Sequence, residues 1–197
     1  MIFVVSGLPR SGTSLMMQML AAGGMPVLTD GERKADTDNP RGYCEWERIK
    51  LLAQEPQCIA EAEGKVVKVI SQLLFALPPA FQYKIVFMVR PLPEVVASQS
   101  EMIRRLGTAG PAIPEAVMMA SLQAHLNQVR AWLKNKPNLT VLDVEYHSVL
   151  RDPFGAARTI ADFISIQLDA GKMAQQVDPQ LFRNRVAVTA ELQQLLS

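Results

Sequence analysis

The sequence predicts an α/β fold of three layers, with a mostly parallel central sheet flanked by helices. Three observations carry that reading. Short apolar, β-branched runs alternate with helical patterns along the chain, which is the rhythm of strand–helix–strand units. The runs are continuously apolar rather than alternating, as in strands buried on both faces. The first run also ends in a glycine-rich turn that opens straight into a helix. The 197 residues, 49% of them hydrophobic, suit a single domain spanning residues 1–197.

Ile2-Phe3-Val4-Val5 reads as the first strand, closed by the Gly/Pro/Ser turn that follows. Thr13 to Ala22 has Leu15, Met16, Met19 and Leu20 at helical spacing and stops at Gly23-Gly24, so it reads as a helix. Met25 to Leu28 is a candidate second strand. Residues 29–43 are polar and carry Gly31, Pro40 and Gly42, which makes a long loop of the kind that often serves function. Glu45 to Leu52 reads as helical. Val66 to Ile70 and Lys84 to Val89 are further strands. Pro91 opens a helix reaching about Arg105, since proline suits a first helical turn.

Pro114 to Lys134 reads as a long amphipathic helix with Val117, Leu122, Leu126, Val129 and Leu133 on one side. Its Glu115 lies early and its Lys134 late, as the helix dipole favours. Leu139 to Val144 is a strand, Pro153 to Ile164 a helix, and the chain from Thr189 a last helix.

Composition excludes several classes. Twenty Lys and Arg against nineteen Asp and Glu give a net charge of +1, too small an excess for a protein that coats nucleic acid. No apolar run approaches the roughly 18 residues of a membrane span. Ile2 to Val5 lacks the basic start and length of a signal peptide. Cys44 and Cys58 form no CxxC and have no histidine cluster beside them, so no metal site is expected. Two reduced thiols point to a cytoplasmic setting.

Chemistry concentrates in Gly7-Leu8-Pro9-Arg10-Ser11-Gly12-Thr13-Ser14. Glycines permit tight turning, and a helix N-terminus offers unpaired N–H groups and a positive dipole end, so a phosphate or sulfate suits this turn. The Gly-x4-Gly spacing matches a phosphate-binding P-loop, and a P-loop type of fold is expected. Thr13, however, stands where a nucleoside-triphosphate loop has lysine. That argues against ATP or GTP hydrolysis, since the lysine acts on the β- and γ-phosphates. A second signal is Val89-Arg90-Pro91 at a strand end, with Ser98 eight residues after Arg90 and roughly 10 Å along the helix. Arginine plus a hydroxyl suits a phosphate monoester.

These residues resemble the sulfotransferases that use 3′-phosphoadenosine 5′-phosphosulfate (PAPS). Residues 7–14 are similar to their 5′-phosphosulfate loop, and Arg90 with Ser98 to their 3′-phosphate motif. The stretch Val141 to Tyr146, then Val149, then Asp152-Pro153, is similar to their strand–Tyr–x–x–Val/Leu–x–x–Asp-Pro segment. Asn39-Pro40-Arg41-Gly42-Tyr43 is like a loop of bacterial members. The loop arginine resembles the tyrosylprotein and bacterial branches.

The resemblance implies transfer of a sulfuryl group from PAPS to a hydroxyl or amine, without a metal. It implies that Pro9, Arg10, Ser11, Gly12, Thr13 and Ser14 cradle the 5′-phosphosulfate. Arg90 and Ser98 would hold the 3′-phosphate, and Arg183 or Arg185 would close over it. A cation at the leaving oxygen stabilises the loose transition state, and Arg10 is the first candidate. Lys68 is the second, matching the lysine of the family's third strand.

A base for the acceptor is also wanted. Ile70 stands where the cytosolic branch places histidine, while His125 and His147 read as structural. Glu32 lies 22 residues after Arg10, in the spacing of the tyrosylprotein base, and Glu45 is the next candidate. Two other readings stay open at this point. One is a P-loop small-molecule phosphotransferase using Mg²⁺ and ATP. The other is a non-catalytic nucleotide-binding interaction module. At 197 residues the chain is short for the family. The acceptor is then small, or the site is open to a large one, or a partner subunit, as in a homodimer, completes it. Specificity is expected in residues 29–44 and 106–114.

Overall fold

A computed structural model describes residues 1–32, 42–107 and 113–178. Among these residues the sheet has four strands: β1 (Ile2–Gly7), β2 (Val66–Lys68), β3 (Tyr83–Val89) and β4 (Leu139–Glu145). Their order is β2-β1-β3-β4 and every pairing is parallel. The register sets Val5 against Lys68 and Val86, and Val89 against Glu145. Strand C-termini therefore gather at one edge, where open α/β sheets bind ligands.

The helices are α1 (Thr13–Ala22), α2 (Leu92–Leu106), α3 (Glu115–Lys134), α4 (Tyr146–Arg151), α5 (Pro153–Ile164) and α6 (Ala170–Ala174). Short 3₁₀ turns cover Glu47–Leu51, Pro56–Ala62 and Ser71–Ala76. The pleat of β1 sorts the core into two. Ile2 and Val4 face a cluster with Trp46, Leu52, Ile59, Leu74 and α3's Val129 and Leu133. Phe3 and Val5 face the other side, with α1's Met16, Met19 and Leu20 and α5's Ile160 and Ile164. Full burial of each such side chain stabilises the fold by about 1.5–3 kcal/mol.

Local chemistry fixes the helix starts. Pro91 and Pro114 stand just before α2 and α3 rather than inside them. The Asp152 carboxylate accepts the Gly155 N–H at 2.9 Å and caps α5. Four expectations are corrected. Met25 to Leu28 is no strand. Pro26 has no N–H to give, and only its carbonyl and the Leu28 N–H bond to Val66, which leaves a single bridge. The Val66–Ile70 strand stops at Lys68, because β1 turns away at Gly7 and Ile70 leads into a 3₁₀ turn. The helix expected over Glu45 to Leu52 is a 3₁₀ turn over Glu47–Leu51. The apolar side of α3 is buried only towards its C-terminal end, and Val117 is 56% exposed.

Candidate functional site

β1 delivers the chain to a turn that only glycine permits at two points. Gly7 has φ +146 and Gly12 φ +100, left of the region open to other residues. Gly12 is also pressed from outside, for a Cβ there would lie 2.5 Å from Tyr146 Cδ2. Replacing Gly12 with alanine is expected to force out the Tyr146 ring and strain the turn by about 1–3 kcal/mol. A melting curve would read that as a loss of several degrees, at roughly 2–4 °C per kcal/mol. An unchanged Tm would show that the turn relaxes freely.

The turn ends at α1, whose N-terminus carries no side-chain cap and no acidic residue in its first turn. First-turn amides have no intrahelical partner, so this end suits an anion. Ser11 is buried and its Oγ has no hydrogen-bond partner among the described residues. An orphan hydroxyl inside an oxyanion-shaped turn fits a bound phosphate or sulfate. The residues present therefore suit the phosphosulfate end of the donor.

A cavity of about 360 Å³ opens over the turn. Its lining brings together Arg10, Thr13, Ser14, Lys68, Arg90 and Ser98, from the turn, β2, and the β3 end with α2. Two polar clusters divide it. In the first, Lys68 Nζ donates to Ser14 Oγ at 3.1 Å, to the Tyr43 carbonyl at 3.0 Å and to Glu45 Oε1 at 2.9 Å. The Lys68 and Glu45 side chains are only 6% and 16% exposed, so this ion pair is weakly screened. In the second, Arg90 Nε donates to Glu94 Oε2 at 2.9 Å and its Nη1 to the Arg10 carbonyl at 3.0 Å. Arg10 Nε donates to Ser98 Oγ at 2.9 Å. Arg90 also stacks on the Tyr146 ring, 4.7 Å from its centroid.

The sequence-stated candidates separate accordingly. Glu45 lines the cavity, whereas Glu32 lies exposed outside its lining, its N–H on Asp30 Oδ1. Arg10 links Ser98 and Arg90, its Nε donating to Ser98 Oγ and its carbonyl accepting from Arg90 Nη1. Arg183 and Arg185, Asn39 to Arg41 and the helix from Thr189 lie outside the described residues.

Three contributors carried no role in the sequence reading. Glu94 is buried against Arg90, and their i, i+4 spacing was legible as a pair. His147, at the start of α4, places Nε2 3.0 Å from the Glu94 carboxylate. Gln99 Nε2 donates to the Pro9 carbonyl at 3.3 Å. His125 pairs instead with Ser71 Oγ at 2.9 Å, against the 3₁₀ turn beside α3. Burial pushes the Cys44 thiol up while Lys68 pulls it down. Burial likewise pushes the Tyr146 phenol up, against the opposing pull of Arg90.

A model of the sulfotransferase domain family matches residues 2–186. Among solved structures, the sulfotransferase domain from the curacin biosynthetic pathway superposes with a TM-score of 0.53 at 14% identity, covering 98% of this chain and 95% of that one. The sulfotransferase domain from the Synechococcus PCC 7002 olefin synthase gives 0.54 at 14% identity, covering 99% and 94%. A mouse sulfotransferase complexed with PAP gives 0.50 at 16% identity, covering 99% and 80%. At these identities the structural likeness is one of fold. No curated protein sequence matches the chain.

Proposed function

As the chain belongs to the sulfotransferase domain family and is a sulfuryl-transferring enzyme, we propose that its donor is PAPS and its acceptor a hydroxyl or amine. The observation that carries this is one cavity holding a cap-free helix N-terminus after β1, with Lys68 from β2 on one side of it and Arg90 and Ser98 from beyond β3 on the other. A nucleotide with phosphates at both 5′ and 3′ positions is the ligand whose charges match that spread. The turn from Pro9 to Ser14 holds the 5′ end, its amides and the Thr13 and Ser14 hydroxyls donating. Lys68 sits over Ser14 and stabilises charge at the oxygen that leaves with the 5′-phosphate.

Glu45, paired to that lysine, takes the acceptor proton as the acceptor oxygen or nitrogen bonds to sulfur and the sulfur–oxygen bond to the phosphate breaks. The cavity wall of Trp46, Ile49, Ile70 and Leu73 gives the acceptor an apolar surface to enter along. Among the described residues no group of three or more His, Cys, Asp or Glu is placed around a metal, and no helix is long and apolar enough to cross a membrane.

Calorimetry with adenosine 3′,5′-bisphosphate tests the donor. Saturable binding without added metal, much tighter than for ATP with Mg²⁺, is expected. Tighter binding of Mg²⁺-ATP would move the reading to a phosphotransferase. Absence of binding by either nucleotide would sink it.

A further inference from the structure

The segment that carries Glu45 is bent in a way that few side chains tolerate. Gly42 has φ 83 and Cys44 φ 48, so a non-glycine residue sits in the left-handed region one step before Glu45. Such a conformation persists only where the surroundings over-determine it, and it clusters at functional sites. Here the bend brings the groups on either side of Cys44 to one ammonium. The Tyr43 carbonyl and Glu45 Oε1 both accept from Lys68 Nζ, at 3.0 and 2.9 Å.

Among the described residues, two further anchors hold this segment. On one side the Glu45 carbonyl accepts from Thr29 Oγ1 at 2.8 Å and from the Asp30 N–H at 3.3 Å. On the cavity side Gln18 Nε2 donates to the Gly42 carbonyl at 3.0 Å. A carbonyl has no proton to give, so the amide nitrogen of Gln18 is the atom that faces it. Gln18 lies on α1 one turn after Ser14, and both line the cavity. Residues four apart share a helix face. That face therefore holds the segment twice, Ser14 through Lys68 and Gln18 through Gly42.

The double hold has a chemical use. α1 starts at the turn that suits the anionic end of the donor, whereas Glu45 comes from a stretch with no strand or helix of its own. A proton acceptor acts only within hydrogen-bond reach of the proton it takes, and a misplacement of about 1 Å can lower the rate roughly a hundredfold. The Gln18 amide ties the two parts together without adding a charge beside the Lys68–Glu45 pair.

We infer that Gln18 is a positioning residue: through the Gly42 carbonyl it fixes the bend at Cys44, and with it the Glu45 carboxylate, relative to the helix that receives the donor. The inference rests on reading Glu45 as the proton acceptor.

The test compares the wild type with Gln18→Met, which keeps the side-chain length without a donor, and Gln18→Lys, which restores one. One readout needs no acceptor. It is the rate at which iodoacetamide alkylates Cys44, followed by peptide mass spectrometry, with the 2% exposed Cys58 as internal reference. The other is kcat with an acceptor the wild type turns over, beside the dissociation constant for adenosine 3′,5′-bisphosphate. Gln18→Met is expected to raise the Cys44 rate severalfold and leave that of Cys58 unchanged. Its kcat is expected to fall roughly ten- to hundredfold, with bisphosphate affinity nearly unchanged. Gln18→Lys should regain most of both. A residue that serves only the fold would speed both cysteines and weaken bisphosphate binding together, and that result would overturn the inference. So would a change in one readout without the other, or in neither. Glu45→Gln measured in parallel separates the inference from the reading beneath it. Full kcat in Glu45→Gln would overturn that reading and the inference with it. A slowed Glu45→Gln beside an unaffected Gln18→Met would leave the reading standing and overturn the inference alone.

Discussion

Glu45→Gln is expected to lower kcat by about 10²- to 10⁴-fold, the usual contribution of a positioned proton acceptor. The side chain keeps its length and an amide oxygen that still accepts from Lys68 Nζ, now at 2.9 Å from Glu45 Oε1. Donor affinity is therefore expected to change little, and the loss should appear in kcat. Glu32→Gln, by contrast, is expected to stay near wild-type rate, since Glu32 is exposed and outside the cavity lining. Steady-state kinetics with any acceptor the wild type turns over decides the matter. A large loss in Glu32→Gln with none in Glu45→Gln would transfer the role. A purely structural Glu45 would instead lower Tm and donor affinity together, with kcat falling no further than either.

The choice between those two glutamates marks where sequence reasoning stops. Both were visible as carboxylates after the phosphate turn, and spacing from Arg10 favoured Glu32. What separates them is tertiary. Lys68 comes from β2, and its three bonds reach Ser14, the Tyr43 carbonyl and Glu45, which are far apart in sequence. No spacing rule encodes that convergence. The elements were more legible. The helix Thr13–Ala22 and the helix Pro153–Ile164 appear with the predicted bounds, because Gly12 and Gly23 flank the one and Asp152-Pro153 starts the other.

The short pieces failed for physical reasons. Pro26 has no N–H to extend the ladder beyond the two bonds at Val66, and the 3₁₀ turns around residues 47–76 follow packing under β1 and β2 rather than a helical period. The direction taken by the Arg10 side chain was also hidden. A left-handed arginine in a glycine-rich turn has no sequence signature, since glycine would be the ordinary choice there.

Arg90→Ala is expected to do two separable kinds of damage. The first is to the fold. Glu94 is a buried carboxylate whose partners include Arg90 Nε at 2.9 Å and His147 Nε2 at 3.0 Å. Removing one member of a buried ion pair leaves an uncompensated charge and typically costs about 3–5 kcal/mol. For a chain of this size that is roughly 6–20 °C in Tm. The second is to the donor site, because Arg90 also holds the Arg10 carbonyl and stacks on Tyr146 at the cavity. The two are told apart by adding Glu94→Gln. With the carboxylate neutralised, the double variant should regain much of the lost Tm, since no unpaired charge is left behind. On the proposed donor reading it should not regain affinity for adenosine 3′,5′-bisphosphate, because the arginine assigned to the 3′-phosphate is still missing. Recovery of both would mean that Arg90 serves binding only by holding the fold. Recovery of neither would mean that the arginine's contacts with Arg10 and Tyr146, not the ion pair, carry its stabilising role.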